Sequence, residues 1–460
     1  MDLMSEIKLL KRQISVNINI PDEVKLIIST LEKHGFEANI VGGCVRDASL
    51  GKEPEDWDIC TQALPEQIMR CFNGYTLVPT GLKHGTITLV LNHVPFEITT
   101  YRTDGIYSDN RHPDKVEFVK SLKEDLSRRD FTINAMAYNP KFGFVDYFGG
   151  ISDIKKKVIR CVGNADERFQ EDALRILRAL RFASTLGFSI EGKTDAAIIR
   201  NKKLLKNIAA ERIASELNKL IIGKNVEKIL LSYTSVIEEI IPEINETVGF
   251  DQNSPYHHLD LWKHTITSVS KTPEDMTLRL TMLLHDIAKP KCYTEVDSIG
   301  HYYGHPKISS DMARKILRRL KYDNNTISSV IKLILYHDTE IQPKARYIRK
   351  WLNRLGEKRF RQLIEIKRAD TLAQSEKYRR EKLKALDEIM SVLDVIIREQ
   401  QCFSMADLAV DGRDMISIGV PEGAEIGRIL KVLLGMVIEG HAGNDREELL
   451  KIAEELINQE

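Results

Sequence analysis

Apolar residues recur with a helical period over 24–32, and Ala38–Val41 is a short apolar run that enters a Gly-Gly turn. A helix-like piece over 45–50 and a strand-like piece over 57–60 follow. Thr86–Leu91 and residues 96–101 are β-rich runs separated by 92–95, which predicts a hairpin. Beyond residue 151 strand patterns nearly disappear. Residues 173–186, 210–222 and 226–241 carry apolar positions at i, i+3, i+4 spacing, and the remainder to 460 is mainly helical. Loops rich in Gly, Pro and Asn interrupt it near 250–256, 297–307 and 411–422. The expected fold class is an α/β head, a small mixed β-sheet with helices, followed by an elongated all-α body.

The 460 residues carry 67 Lys+Arg against 67 Asp+Glu. A net charge of zero excludes a uniformly basic nucleic-acid coat and an acidic solvating chain, but leaves room for local basic surfaces. One such surface is expected over 344–384, where fifteen Lys/Arg face five Asp/Glu, with Tyr347, Trp351 and Phe360 interleaved. Arg346, Arg349, Lys350 and Arg354 are the expected RNA-backbone contacts, reading shape more than sequence. No apolar run reaches the roughly 18 residues of a membrane span, and the N-terminus has no secretory apolar stretch. The six cysteines are scattered without a CxxC pair, so reduced thiols in a cytoplasmic protein are expected.

Three patterns carry chemistry. Residues 40–47, IVGGCVRD, read as strand, glycine turn and helix start, an arrangement that offers backbone N–H groups and Arg46 to an anion. Asp56 and Asp58 follow at i, i+2, so on a strand both carboxylates face one side. Like charges held that close repel unless a cation compensates them, and hard oxygen ligands beside phosphate suit Mg²⁺. Glu97, on a nearby strand run, is equally a third carboxylate or a structural residue. Seven of the twelve histidines fall between His257 and His337, including the doublets His285-Asp286 and His337-Asp338. Imidazole and carboxylate on several helices suit a divalent transition metal.

The motif GGCVRD followed by DWDIC resembles the signature of class II tRNA nucleotidyltransferases, the family of CCA-adding enzymes and bacterial poly(A) polymerases. Further motifs occur in the family's order: RRDFTINA at 128–135, DYFGG at 146–150, EDALR at 171–175 with Arg178 and Arg181, and ERI at 211–213 with Glu216 and Leu217. The resemblance implies that Asp56 and Asp58 are catalytic and hold Mg²⁺. It implies nucleotide contacts from Gly43, Arg46, Arg129, Asp172, Arg175, Arg178 and Arg181, and tRNA, CTP and ATP as partners, with no membrane. Positions 172, 175, 178 and 181 are expected along one helix face. A carboxylate beside a guanidinium can imitate a Watson–Crick edge, so Asp172 would accept from the amine of cytosine or adenine while Arg175 donates to the ring. Taken alone, the same residues read first as an i, i+3 salt bridge on a solvated helix, and the other motifs turn the reading to the template. The polar loop from Asp104 to Pro113 is similar to one that helps family members switch from cytidine to adenosine, which leans against a CC-only enzyme.

The histidine-rich segment resembles an HD phosphohydrolase domain. That resemblance implies His264, His285, Asp286 and Asp338 as ligands, with His305 and His337 available for a second metal or for phosphate. The implied activity is hydrolysis of phosphomonoesters or 2′,3′-cyclic phosphates. Four segments are expected: a head over 1–150, a neck over 151–245, an HD domain over 246–343 and a tRNA-binding tail over 344–460. The expected reaction is CCA addition to tRNA. The alternatives are A-only addition, poly(A) synthesis, or an RNA-binding HD hydrolase whose transferase head is inactive.

Overall fold

The computed structural model describes residues 18–105 and 115–458, so most of the polar loop over 104–113 lies outside the described residues. The chain divides into two compact units, 1–240 and 241–460. No helix among the described residues is long and apolar enough to cross a membrane.

The first unit is built on strands β1 (Ala38–Val41), β2 (Asp58–Thr61), β3 (Thr76–Gly81), β4 (Thr86–Leu91), β5 (Val94–Thr100), β6 (Arg102–Asp104), β7 (Val116–Phe118), β8 (Met136–Asn139) and β9 (Gly143–Asp146). Seven of them form one sheet in the order β3-β4-β5-β2-β1-β8-β9, while β6 and β7 pair separately. Within the large sheet β2 and β5 run parallel and all other neighbours are antiparallel. The expected hairpin forms, with Asn92 and His93 at positive φ in a two-residue turn between β4 and β5. Helices Asp22–Lys33 and Pro65–Cys71 pack Ile27, Leu31, Ile68 and Phe72 against Ile40, Ile59, Ile87 and Ile98. The other face carries Val41, Cys60, Tyr101, Leu126 and Ala137. β1 is buried along its whole length because both faces are covered.

Helix Leu174–Leu186 packs against Ala210–Ile221, where Ser184 Oγ donates to the Leu220 carbonyl at 2.8 Å. Arg178 ties that first helix to the head motif, donating through Nε and Nη2 to Asp130 Oδ2 at 2.9 and 2.7 Å.

In the second unit, helices Leu261–Lys271, Met276–Leu284, Asn324–Tyr336 and Glu357–Ala373 pack together. The boundary expected at 343 therefore runs through one bundle, because Glu357–Ala373 supplies part of its core through Phe360, Leu363 and Ile364. Helix Ala345–Leu355 packs on Glu357–Ala373 and also on Glu376–Arg398 and Ala424–Glu439. The C-terminal helices close around Met415, Ile429, Leu433 and Leu449.

Burial alone would raise the Asp130 pKa, but Arg178 and Asn134 override it and hold the carboxyl at about 2. Its unfolded value is higher, so this pair contributes stability that is present above pH ~4 and lost as pH falls through ~2. We expect Asp130→Asn to be less stable than the parent protein by about 2 kcal/mol near neutrality. The gap should close between pH ~4 and ~2 in chemical denaturation series. A gap that does not change with pH would refute the assigned pairing.

Candidate active site and metal centre

In the first unit the site begins with the turn after β1. Gly42 has φ 83° and lets two groups approach the backbone: a β-carbon there would lie 3.1 Å from Arg129 Nη1 and 3.6 Å from Asp58 Oδ2. Any other residue would meet both a strained backbone and a crowded site. Antiparallel pairing sets Val41 opposite Asp58, and parallel pairing sets Asp58 beside Glu97. Three carboxylates, Asp56, Asp58 and Glu97, thus share one edge with Arg129. Desolvation raises the Asp58 pKa; Arg129 opposes this, while Glu97 and Asp56 add to it. Carboxylates held this close repel one another unless a divalent cation lies among them, so this donor set fits Mg²⁺.

These residues open on a cleft of about 560 Å³ lined by Gly43, Arg46, Asp56, Asp58, Arg181 and Phe182, among others. Arg46 donates to both Asp47 oxygens and, through Nη1, to Asn134 Oδ1 at 2.7 Å. Phe182 gathers three guanidiniums: Arg181 at 4.1 Å from the ring centroid, Arg46 at 4.9 Å and Arg178 at 5.5 Å. Arg181 is pushed down to about 10 by burial and by the neighbouring Arg178, with Glu216 opposing. Sequence reasoning missed Phe182 as an organiser; the only signal was its place directly after Arg181.

The expectation of one continuous helix face from 172 to 181 is corrected. Asp172 stands in an extended break between Ala165–Glu171 and Leu174–Leu186, with φ −138° and ψ 100°. Its Oδ1 accepts from the Leu174 N–H at 3.1 Å, a local bond that competes with continued helix. Arg212, not Arg175, is its ionic partner, with Nη2 at 3.0 Å from Oδ2. Arg175 turns inward and donates to Glu171 Oε2, the Arg168 carbonyl and the Arg128 carbonyl at 2.7, 3.2 and 3.0 Å. Arg175, Arg178 and Arg181 do share one helix at spacing three.

The second unit carries the histidine cluster. His264 projects from Leu261–Lys271, His285 and Asp286 follow Met276–Leu284, and Asp370 projects from Glu357–Ala373. His264 Nε2 lies 2.9 Å from Asp370 Oδ1, and His285 Nε2 lies 3.0 Å from Asp286 Oδ2 and 3.6 Å from Asp370 Oδ1. One donor atom from each of these four residues falls within 4.8 Å of all the others. Lys289 Nζ approaches Asp286 Oδ2 at 2.6 Å. Burial opposes charge on His285, but Asp286 and Asp370 override it and raise the ring to about 10. Both carboxylates are held well below their usual range against burial, chiefly by His285 and Lys289 for Asp286 and by His264 and His285 for Asp370. His285 Nε2 and Asp286 Oδ1 are buried without a hydrogen-bond partner, which fits ligands aimed at a cation.

Asp338 does not join this set. The helix Asn324–Tyr336 ends at His337, which turns inward, while the next residue, Asp338, is exposed at the cavity. Asp370 takes the expected place. It was hidden as one of five acidic residues inside the basic stretch over 344–384, where charge counting drew attention to its basic neighbours.

The basic face is also partly corrected. Arg349 donates to the Ile438 carbonyl and to Gln401 Oε1, so its guanidinium fastens two later segments. Lys350 pairs with Glu439. Arg346 lies over Tyr347, Arg354 lies over Trp351 and Tyr336, and both remain exposed.

Comparison with known proteins agrees with this geometry. The family described as Poly A polymerase head domain matches residues 38–160, and probable RNA and SrmB-binding site of polymerase A matches 187–247. The family tRNA nucleotidyltransferase domain 2, putative, matches 304–453. The chain is 44% identical over 264 residues to the CCA-adding enzyme of Bacillus cytotoxicus, a match over 55% of this chain and 65% of that enzyme. It is 34% identical over 450 residues to that of Ligilactobacillus salivarius, across 96% and 98% of the two chains. The crystal structure of the Bacillus stearothermophilus CCA-adding enzyme in complex with CTP is similar at TM-score 0.69 and 28% identity, over 95% of this chain and 98% of that one. A Thermotoga maritima CCA-adding enzyme complexed with tRNA shares the fold at TM-score 0.58 and 22% identity, over 98% of each chain. A nucleotidyltransferase edge in the first unit and a match along nearly the whole of both chains give one conclusion: this protein belongs to the CCA-adding enzyme family.

Proposed function

We propose that this protein adds C, C and A to the 3′ end of tRNA from CTP and ATP without a nucleic-acid template, working in the cytoplasm. The observation that carries the reading is the edge where Asp56, Asp58 and Glu97 meet the Gly42 turn and Arg129. The tRNA 3′-hydroxyl attacks the α-phosphorus of the nucleoside triphosphate, a phosphodiester forms, and pyrophosphate leaves. Asp56 and Asp58 would hold Mg²⁺, which when bound lowers the hydroxyl pKa and neutralises the leaving group. Gly43 and its backbone N–H, Arg46 and Arg129 orient the triphosphate, and Arg178 and Arg181 hold charge around Phe182 at the cleft. Asp172 and Arg175 read the base once Asp172 exchanges Arg212, and Arg175 exchanges Glu171, for the nucleobase edge. Guanine and uracil would leave Asp172 facing an acceptor, a cost of about 1–3 kcal/mol. Arg346 and Arg354 contact the tRNA backbone, and Lys350 joins them by releasing Glu439.

With Mg²⁺ and labelled CTP or ATP, tRNAs ending at the discriminator base, at the first C and at the second C should all be completed to CCA. ATP incorporation alone, on the CC end alone, would replace this reading with A addition; long untemplated A tails would replace it with poly(A) synthesis. Asp58→Ala should lower incorporation on every substrate by on the order of 10³ or more.

The buried unpartnered atoms of His285 and Asp286 favour a second activity. His264, His285, Asp286 and Asp370 would hold a divalent transition metal, which when bound activates water toward a phosphomonoester or a 2′,3′-cyclic phosphate. His285→Ala should abolish hydrolysis of 2′,3′-cyclic AMP and leave CMP incorporation unchanged. Equal hydrolysis by the variant and the parent protein would remove this site from the reaction.

A further inference from the structure

A short hairpin in the second unit holds an aromatic ring in water. Thr294–Val296 pairs antiparallel with Ile299–His301, and Asp297 and Ser298 turn between them at positive φ. The hairpin is anchored from below: the Gly300 N–H donates to the Asn253 carbonyl at 2.8 Å, and the Tyr302 hydroxyl donates to the Gln252 carbonyl. Alternation along a strand puts His301 and Tyr303 on the face opposite Tyr302. Their rings stack there, with centroids 5.4 Å apart and planes 4° from parallel. Tyr303 Oη lies 3.3 Å from His301 Nδ1, which fixes the tyrosine ring further. Tyr303 nevertheless remains 75% exposed, so one ring face rests on His301 and the other is uncovered.

These two rings stand at the mouth of a cavity of about 350 Å³. Sites for small ligands occupy roughly 300–1,000 Å³. The inner end of the cavity is formed by Asp286, His305 and His337, at 1%, 5% and 6% exposure. Its rim also holds Tyr256, which packs on Tyr378 at 4.7 Å between centroids and has Lys382 Nζ 4.9 Å from its ring. One cavity therefore joins a buried ligand cluster to an exposed aromatic wall. An aromatic face left in water gains when another flat ring covers it, and every nucleobase offers such a face. A sugar phosphate offers a phosphoester and no ring.

We propose that this cavity selects nucleotides, with the nucleobase stacked on Tyr303, backed by His301, and the phosphoester turned toward Asp286. The substrate class is then a nucleoside 2′,3′-cyclic phosphate or nucleoside monophosphate, and base-free sugar phosphates are poor substrates. Stacking reads a π-face and no hydrogen-bond pattern, so all four bases are accepted. The inference rests on reading His264, His285, Asp286 and Asp370 as the metal centre that receives the phosphate.

Two measurements on the full-length chain test it. With Mn²⁺ supplied, hydrolysis of 2′,3′-cyclic AMP is compared with that of 1-O-methylribose 2,3-cyclic phosphate, which lacks the base. We expect the parent protein to favour the nucleotide in kcat/KM by on the order of tenfold or more. Tyr303→Ala should remove that preference by raising KM for the nucleotide, leaving the base-free ester unchanged, and Tyr303→Phe should retain it. Equal use of both esters by the parent protein, or a Tyr303→Ala loss shared by both, would overturn the base platform. The second measurement is saturation-transfer NMR with adenosine and metal-free protein, which needs neither phosphate nor metal. Saturation of the adenine H2 and H8 protons should fall in Tyr303→Ala and persist in Tyr303→Phe, while adenosine in the transfer site adds the same signal to all three. A signal unchanged by Tyr303→Ala would also overturn the platform. Hydrolysis of neither ester, with a Tyr303-dependent adenosine signal, would remove the metal reading and leave the platform standing.

Discussion

The parallel pairing of β2 with β5 is the constraint on which the transfer site depends. It sets Asp58 beside Glu97, while antiparallel pairing on the other side of β2 brings the Gly42 turn to the same end. Carboxylates so placed are costly together, and Arg129 and a divalent cation supply the opposing charge. Both faces of the central strand are covered, by Ile27 and Ile68 on one side and Leu122 and Leu126 on the other, so the register cannot slip without exposing core. Rigidity in the sheet thereby becomes precision among three carboxylates.

The second unit solves a related problem with helices. Four packed helices bring His264, His285, Asp286, His337 and Asp370 to one buried place, and His305 joins them from the start of its own helix. Backbone carbonyls fix three imidazole rings from behind. Met282 and Ile334 lie in the last turns of their helices, and Tyr302 lies just before the start of another.

Much of the transfer site was legible. The glycine turn, the Asp56/Asp58 pair and the ordered motifs are local, and spacing on a strand is enough to place two carboxylates together. The hairpin at Asn92-His93 and the change from mixed sheet to helices followed from periodicity. Less legible were the features that depend on a side chain's competing partners. Asp172 breaks the helix that periodicity extends through it, and Arg349 turns from solvent to fasten the Ile438 carbonyl.

The amino-acid sequence by itself determined the order of elements, the family and the chemical types at the sites, because turn residues, apolar period and motif spacing act over a few residues. Tertiary structure alone decided the company each group keeps. Glu97 became the third carboxylate because a parallel strand lies beside Asp58. Phe182 became the centre of three guanidiniums. Asp370 displaced Asp338 because helix ends and packing direct one carboxylate inward and the other to water. Those choices depend on contacts between residues distant along the chain, and spacing along a sequence does not contain them.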